Sequence, residues 1–278
     1  MDGEALPAET GVGRVALTVG DLDETVEFYE SVVGLAAHET DGERAVLGDG
    51  ETPLLELIED RSAPERARSA AGLFHTAFRV PSRAALGDAL ERLDDRWELS
   101  GASDHLVSEA LYCRDPEGNG VEIYRDRPRS TWGETPDGGV QMATEPLDAD
   151  AVRRAATGTD AVPAGTDVGH VHLEVTGLDA ARAFYADALG LSVRASDGGA
   201  LFLAAGGYHH HVGVNVWNGR SEPASGRGLD WVELRVPTES AVDAARDRLD
   251  RAGYAVEGTA DGIRVPDPDG IDIRLASR

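Results

Sequence analysis

The sequence predicts an α+β fold built from four modules, each consisting of a strand, a helix and three further strands. Four six-residue segments, at 14–19, 75–80, 170–175 and 231–236, alternate apolar and polar side chains as half-buried strands do. The first two segments start 61 positions apart, and so do the last two. Because equal spacing found twice is improbable by chance, we interpret the 278-residue chain as two similar halves of two modules each.

The later elements of each module follow in the same order. A helical segment comes after each strand, and the four read LDETVEFYESVVG, SRAALGDALERL, LDAARAFYADALG and ESAVDAARDRLDRAG. The first and third of them share a Phe-Tyr pair with Gly-Leu close behind it. Three strand segments are expected after each helix, such as RAVLG and PLLELIE in the first module. Modules two and four end in DPEGNGVEIY and DPDGIDIRL, which predict a turn that leads into a last strand.

The repeat also predicts the domain organisation. Modules one and two would form an N-terminal domain over residues 10–127, and modules three and four a C-terminal domain over residues 167–278. Residues 128–166 are rich in Pro, Gly, Thr and Asp. We expect them to form a linker with one short helix at LDADAVRRAA.

The composition excludes several classes of partner. The chain has 51 acidic and 26 basic residues, all of the latter arginine, and a net charge of −25. Such a field repels nucleic acid and anionic membranes, and no apolar run is long enough for a membrane span. A single cysteine, Cys113, excludes an internal disulfide, so we expect a cytoplasmic protein. Acid-rich, lysine-free sequences are similar to those of extreme halophiles.

Several motifs resemble the vicinal oxygen chelate superfamily, which includes glyoxalase I, bleomycin-resistance proteins and extradiol ring-cleavage dioxygenases. They are VGDLDETVEFYESVVGL, VTGLDAARAFYADALGL, DPEGNGVEIY and YHHHVGVNVW. Together with GLFHTAFRVPSR and SEALYCRDPEGNG, they are most similar to the bacterial catechol-2,3-dioxygenase branch. The resemblance implies that the modules curl into two pseudo-symmetric, cup-shaped units of mixed sheet. It also implies that a divalent metal is bound by the first position of a module's first strand and by a carboxylate on a last strand.

These ligand positions can be read from each module. The first-strand positions are Arg14, His75, His170 and Trp231; the last-strand positions are Glu56, Glu122, a residue of HHHVGVN, and Arg274. Because arginine and tryptophan do not bind cations, the resemblance leaves His75, Glu122 and His170 as the ligands. Two histidines and one carboxylate form the facial triad of non-haem Fe(II) oxygenases, and Mn(II) also suits this set. His172 is the close rival of His170, since both lie on one strand face.

This distribution departs from the pattern of the usual extradiol enzymes, which take their ligands from modules three and four. We therefore expect modules two and three to face each other across one cup, or to meet through another chain. Modules one and four would then form a second, metal-free cup.

The same resemblance supplies three catalytic residues. His210, on the last strand of module three, would be the acid/base histidine, while Tyr112 and His105 would orient substrate and oxygen. Strand alternation would then point His209 and His211 towards the opposite face.

The resulting expectation is an Fe(II)-dependent extradiol dioxygenase that inserts O2 into a catechol or a substituted catechol. A homodimer would be ordinary for the superfamily. One alternative is a glyoxalase-type lyase or isomerase that uses Ni or Zn, with Glu56, His75 and Glu122 as ligands beside Arg14. The other is a non-catalytic binding protein of the bleomycin-resistance kind.

Overall fold

The computed structural model describes residues 5–136 and 138–278 and has the predicted α+β fold. Modules one and two comprise β1 (Gly11–Val19), α1 (Leu22–Phe28), β2 (Ala36–Thr40), β3 (Arg44–Gly48), β4 (Pro53–Glu59), β5 (Gly72–Arg79), α2 (Arg83–Arg96), β6 (Gly101–Asp104), β7 (Ser108–Arg114) and β8 (Gly120–Asp126). A short strand, β9 (Glu145–Pro146), and a short helix, α3 (Ala149–Arg153), follow. Modules three and four comprise β10 (Asp167–Glu174), α4 (Leu178–Arg182), β11 (Ser192–Ser196), β12 (Ala200–Ala204), β13 (Val212–Asn215), β14 (Gly228–Val236), α5 (Glu239–Arg251), β15 (Glu257–Gly258), β16 (Gly262–Pro266) and β17 (Asp272–Ser277).

The chain divides into two compact units. The N-terminal unit contains the described residues of Ala16–Ala63 and His75–Gly169, and thus most of modules one and two. The C-terminal unit contains the described residues up to Val15, together with Pro64–Phe74 and His170–Arg278. The domain boundaries at 127 and 167 stay a prediction. No helix among the described residues is long and apolar enough to cross a membrane.

Every module uses one strand order. The first strand lies beside the last one, and the two middle strands continue the sheet, as in the series β5-β8-β7-β6. Strands β5 and β8 run parallel, as do β10 and β13, and β14 and β17. The remaining neighbours within these modules run antiparallel. A parallel pair needs a crossover connection, and the helix of each module is part of that connection.

The strand register assigns equivalent positions in the four modules. The residue of the last strand that faces the middle of its antiparallel neighbour is Glu56, Glu122, Gly213 or Arg274, in module order. Their partners on that neighbour are Val46, Tyr112, Phe202 and Arg264. These two equivalent positions therefore carry different side chains in the four copies of the repeat.

Helix starts follow ordinary capping chemistry. The side chains of Asp21, Ser82 and Thr238 each accept a hydrogen bond from the backbone N–H three residues later, at the start of α1, α2 and α5. Helix α1 ends in a π-helical turn, Tyr29–Val33, which Gly34 closes with a left-handed φ of 91°.

The tyrosine of each repeated Phe-Tyr pair forms a hydrogen bond with the aspartate of a DP turn. The Tyr29 hydroxyl donates to Asp115 Oδ2 at 3.2 Å, and the Tyr185 hydroxyl donates to Asp267 Oδ2 at 2.9 Å. Burial is the main cause that raises the pKa of each aspartate, from 3.8 to about 6. The first module of each unit is thus tied to the turn that starts the last strand of the second.

Candidate metal centre

The N-terminal unit places His75 and Glu122 side by side. His75 lies on β5 and Glu122 on β8, where the parallel register pairs His75 with Gly120 and Ala77 with Glu122. Both side chains therefore lie on one face of the sheet. His75 Nε2 is 3.0 Å from Glu122 Oε2, and the two residues are 6% and 2% exposed. A buried imidazole and carboxylate at this distance offer one nitrogen and one oxygen to a divalent metal.

Tyr112 and His105 lie next to this pair. Tyr112, on β7, is the register partner of Glu122, and its ring centroid is 5.9 Å from that of His75. The Tyr112 hydroxyl is 2.6 Å from His105 Nε2, and His105 Nδ1 is 2.7 Å from the carbonyl oxygen of Ala143. Burial, followed by the Glu122 carboxylate, raises the pKa of Tyr112 well above its usual value. The structure thus brings four of the predicted residues together in one unit.

The His105 contacts define its tautomer. A carbonyl oxygen only accepts hydrogen bonds, so the proton of the neutral imidazole lies on Nδ1. His105 Nε2 is then a hydrogen-bond acceptor for the Tyr112 hydroxyl. The Glu122 carboxylate, which can only accept, is a second partner of the same hydroxyl.

The C-terminal unit places His170 beside two of the three consecutive histidines. The His170 ring centroid is 4.0 Å from that of His210 and 5.8 Å from that of His209. One ring nitrogen of each lies within 4.8 Å of the others. His209 Nδ1 and His210 Nδ1 are 2.7 Å apart, so one ring donates to the other.

The predicted orientation of His209 was wrong, and so was the expectation that the three histidines lie on a strand. Strand β13 begins at Val212, so His209, His210 and His211 lie in the loop before it and do not follow strand alternation. His209 turns towards His170 together with His210, while His211 Nδ1 accepts a hydrogen bond from the N–H of Ala205 at 3.2 Å. The Gly206-Gly207 turn before the histidines was the sequence signal for this loop.

Module three has no carboxylate at the ligand position of its last strand. The register gives this position to Gly213, where a Cβ would lie 2.4 Å from Cδ2 of His172. The His172 ring fills this space and lies edge-to-face against Phe74 and Trp217. His172 is thus part of an aromatic group. Its ring centroid is 6.2 Å from that of His210, whereas that of His170 is only 4.0 Å away.

The ligand positions of modules one and four carry other interactions. Glu56 accepts a hydrogen bond from Arg44 Nε at 2.6 Å. The guanidinium of Arg274 lies over the Trp231 ring at 4.0 Å, and that of Arg14 lies over the same ring at 5.6 Å. Trp231 is therefore packed between these two guanidinium groups by cation–π contacts, and the exclusion of Trp231 and Arg274 as metal ligands stays a prediction.

Comparisons with known proteins identify the family. A model of the Glyoxalase/Bleomycin resistance protein/Dioxygenase superfamily matches residues 11–123 and 167–275. A catechol-2,3-dioxygenase of Bacillus subtilis is 41% identical over 271 residues, which cover 94% of either chain. A biphenyl-2,3-diol 1,2-dioxygenase of Rhodococcus globerulus is 42% identical over 64 residues, 23% of this chain and 34% of the relative.

Solved structures show the same fold at low sequence identity. A structure from Bacillus subtilis has a TM-score of 0.69 and 15% identity, and covers 99% of this chain and 86% of its own. Glyoxalase I from Zea mays has a TM-score of 0.58 and 16% identity, and covers 97% of this chain and 92% of its own. With the family model matching two long segments that span most of the sequence, the chain belongs to the glyoxalase, bleomycin-resistance and dioxygenase superfamily.

Proposed function

We propose that the chain is an extradiol dioxygenase that inserts O2 into a catechol or a substituted catechol and opens the ring to a semialdehyde. The observation that carries this proposal is the buried His75–Glu122 pair with the Tyr112–His105 pair next to it. A binding protein or a structural copy of the fold has no need of this set. The 41% identity to a catechol-2,3-dioxygenase, which extends over almost the whole chain, supports the same chemistry.

His75, Glu122 and His170 would hold the metal. All three side chains are buried, and two imidazoles and one carboxylate suit Fe(II), with Mn(II) as the next candidate. When bound, such an ion activates O2 and favours the ionised form of a catechol. In module three the equivalent position on the last strand is Gly213, which has no side chain to bind a metal. This supports Glu122 of module two as the carboxylate ligand.

Tyr112 and His105 remove a proton from the substrate. A catechol hydroxyl that donates to Tyr112 Oη releases a proton as the tyrosine passes its own proton to His105 Nε2. The resulting imidazolium keeps its Nδ1–H bond to the Ala143 carbonyl, so the ring does not have to turn. Tyr112 ends the step as a neutral phenol, in keeping with its raised pKa.

His210 holds the second proton. The contact of its Nδ1 with His209 Nδ1, at 2.7 Å, holds the orientation of the ring, and an imidazole can both accept and donate a proton. His210 and His170 lie in one buried group, so a proton on His210 is delivered close to the metal ligand.

The surroundings of the enzyme follow from its composition. We place it in the cytoplasm, because its one cysteine is a free thiol, and in a high-salt cell, because of its net charge of −25. We also propose that modules two and three supply the metal cup and that modules one and four form the metal-free one.

The test is a metal and turnover assay with two register-matched variants. The wild-type protein is purified without oxygen in high salt, its metal is determined by mass spectrometry, and catechol and air are added while oxygen uptake is followed. Glu122→Gln should lose the bound metal and its turnover, because an amide replaces the anionic ligand. Glu56→Gln changes the equivalent carboxylate of module one and should keep both.

Tyr112→Phe separates chemistry from metal binding. It removes the hydroxyl but no metal ligand, so it should retain stoichiometric metal and lose turnover by about 100-fold or more. Full metal content in Glu122→Gln would overturn the site. Wild-type protein that holds metal, consumes no oxygen with any catechol and yet isomerises a glutathione hemithioacetal would place the chain with the glyoxalases instead.

A further inference from the structure

In the fourth module, one face of the sheet carries several charged side chains. The register between β14 and β17 places Trp231, Glu233 and Asp272 on one face with Arg274, while Val232 and Ile273 lie on the opposite one. Trp231 and Arg274 occupy the positions that His75 and Glu122 occupy in module two. A histidine and a carboxylate are thus replaced by an aromatic ring and a cation. The positions that suit a metal cation in module two therefore suit an anion in module four.

The acidic residues of this face are already neutralised. Arg235 Nε donates to Glu233 Oε1 at 2.6 Å. Arg264 Nε donates to Asp272 Oδ2 at 2.6 Å, and its Nη1 is 3.5 Å from Glu257 Oε2. Three carboxylates are therefore matched with two arginines, and none of them contacts Arg274.

Arg274 is the exception among these charges. Within residues 5–136 and 138–278, its guanidinium forms no ion pair, and its Nε is buried without a hydrogen-bond partner. Its guanidinium carbon lies 4.0 Å from the centroid of the Trp231 ring, and this cation–π contact uses none of its N–H groups as a hydrogen-bond donor to a carboxylate.

A guanidinium held in this way is suited to one class of ligand. Its N–H groups form a rigid fork that matches the two oxygens of a carboxylate. Packing on Trp231 removes the rotamer freedom that an exposed arginine would lose on binding. The overall negative charge disfavours ligands that carry two or more negative charges, so a monoanion is preferred.

We propose that Arg274, backed by Trp231, forms a binding site for a small organic carboxylate on the fourth module, separate from the dioxygenase chemistry. Its two residues stand at the positions that His75 and Glu122 occupy in module two, and Arg274 carries the opposite charge to Glu122. The proposal depends on residues of the C-terminal unit alone and does not rest on the activity proposed above.

The probe is sodium benzoate, titrated by calorimetry into the metal-loaded protein at constant KCl concentration. Wild-type protein should bind one benzoate in an Arg274-dependent manner. Arg274→Gln should weaken this binding by about tenfold or more, since a charge-assisted, two-point contact is lost. Arg274→Lys keeps the charge and loses the fork, so it should lie between the two. Arg61→Gln removes an exposed arginine of the other unit and should bind as the wild type does.

An NMR measurement on the wild-type protein identifies the site even if the Arg274 variants fold poorly. The chain has four tryptophans, and the indole N–H resonance that disappears in Trp231→Phe should be the one that benzoate shifts in the wild type. Equal affinity of Arg274→Gln and wild type would overturn the proposal. So would the absence of benzoate binding, or binding that is lost only when the metal is chelated, because that ligand would occupy the metal centre.

Discussion

Replacement of Asp267 by asparagine should change how the stability of the protein depends on pH. The Asp267 carboxylate accepts hydrogen bonds from the N–H groups of Asp269 and Ile271, at 2.9 and 2.8 Å, and from the Tyr185 hydroxyl. It is buried, and burial raises its pKa from 3.8 to about 6 despite these bonds. Asparagine has the same shape and does not ionise.

The size and sign of the effect follow from this pKa. The folded protein binds the Asp267 proton more tightly than the unfolded chain does, so the contribution of this group to stability is complete below pH 3.8. It is lost as the pH rises through about 6. A gap of about two pKa units corresponds to about 3 kcal/mol. Because pH 4 already lies above 3.8, Asp267→Asn should gain somewhat less than this limit, about 2 kcal/mol, relative to the wild type from pH 4 to pH 7.

The assay is urea unfolding, followed by circular dichroism at constant molar KCl and at several pH values. The measured quantity is how the difference in free energy of unfolding between Asp267→Asn and the wild type changes with pH. Any effect of the amide that does not depend on pH cancels in this change. Asp60→Asn is the control: hydrogen bonds from Ser62 lower the pKa of Asp60, so that variant should fall behind the wild type as the pH rises. A stability difference for Asp267→Asn that does not change with pH would refute the reasoning.

Two further changes test the buried groups. Glu174 is 1% exposed and accepts hydrogen bonds from Arg66 and Arg220. Glu174→Ala should lower the free energy of unfolding by about 3 kcal/mol, because two arginines lose their carboxylate partner. A loss below about 1 kcal/mol in urea unfolding would contradict this. Burial, with Asp115 as the next cause, raises the pKa of the Cys113 thiol to about 12, so a disulfide reagent at pH 8 should modify it only on unfolding; rapid labelling of the folded protein would show that this region opens.

The fold was predictable because each module repeats one pattern of side chains. The alternation around His75 and Glu122 identified two strands whose residues face the same side, and the repeat supplied their order. The equivalence of Trp231 to His75 and of Arg274 to Glu122 was also correct, since it required only the period of two along a strand.

Contacts that depend on loops or on distant segments were not predictable. His209 was assigned to the wrong direction, because an apolar run after it does not show where β13 begins. The bond between Tyr29 and Asp115 joins residues 86 positions apart, and no local pattern links them. The space above Gly213 that His172 fills was equally hidden, since a glycine in a strand has several explanations.

The shared strand register has a consequence for the history and the design of such proteins. Because the backbone presents the same positions in every copy, the chemistry of a copy is changed by substituting a few side chains, with no rearrangement of the sheet. Duplication then provides a spare scaffold: one copy retains its reactive residues under selection while another accumulates new ones. A protein engineer can use the same redundancy and move a cluster of ligands from one repeat to another, position by position.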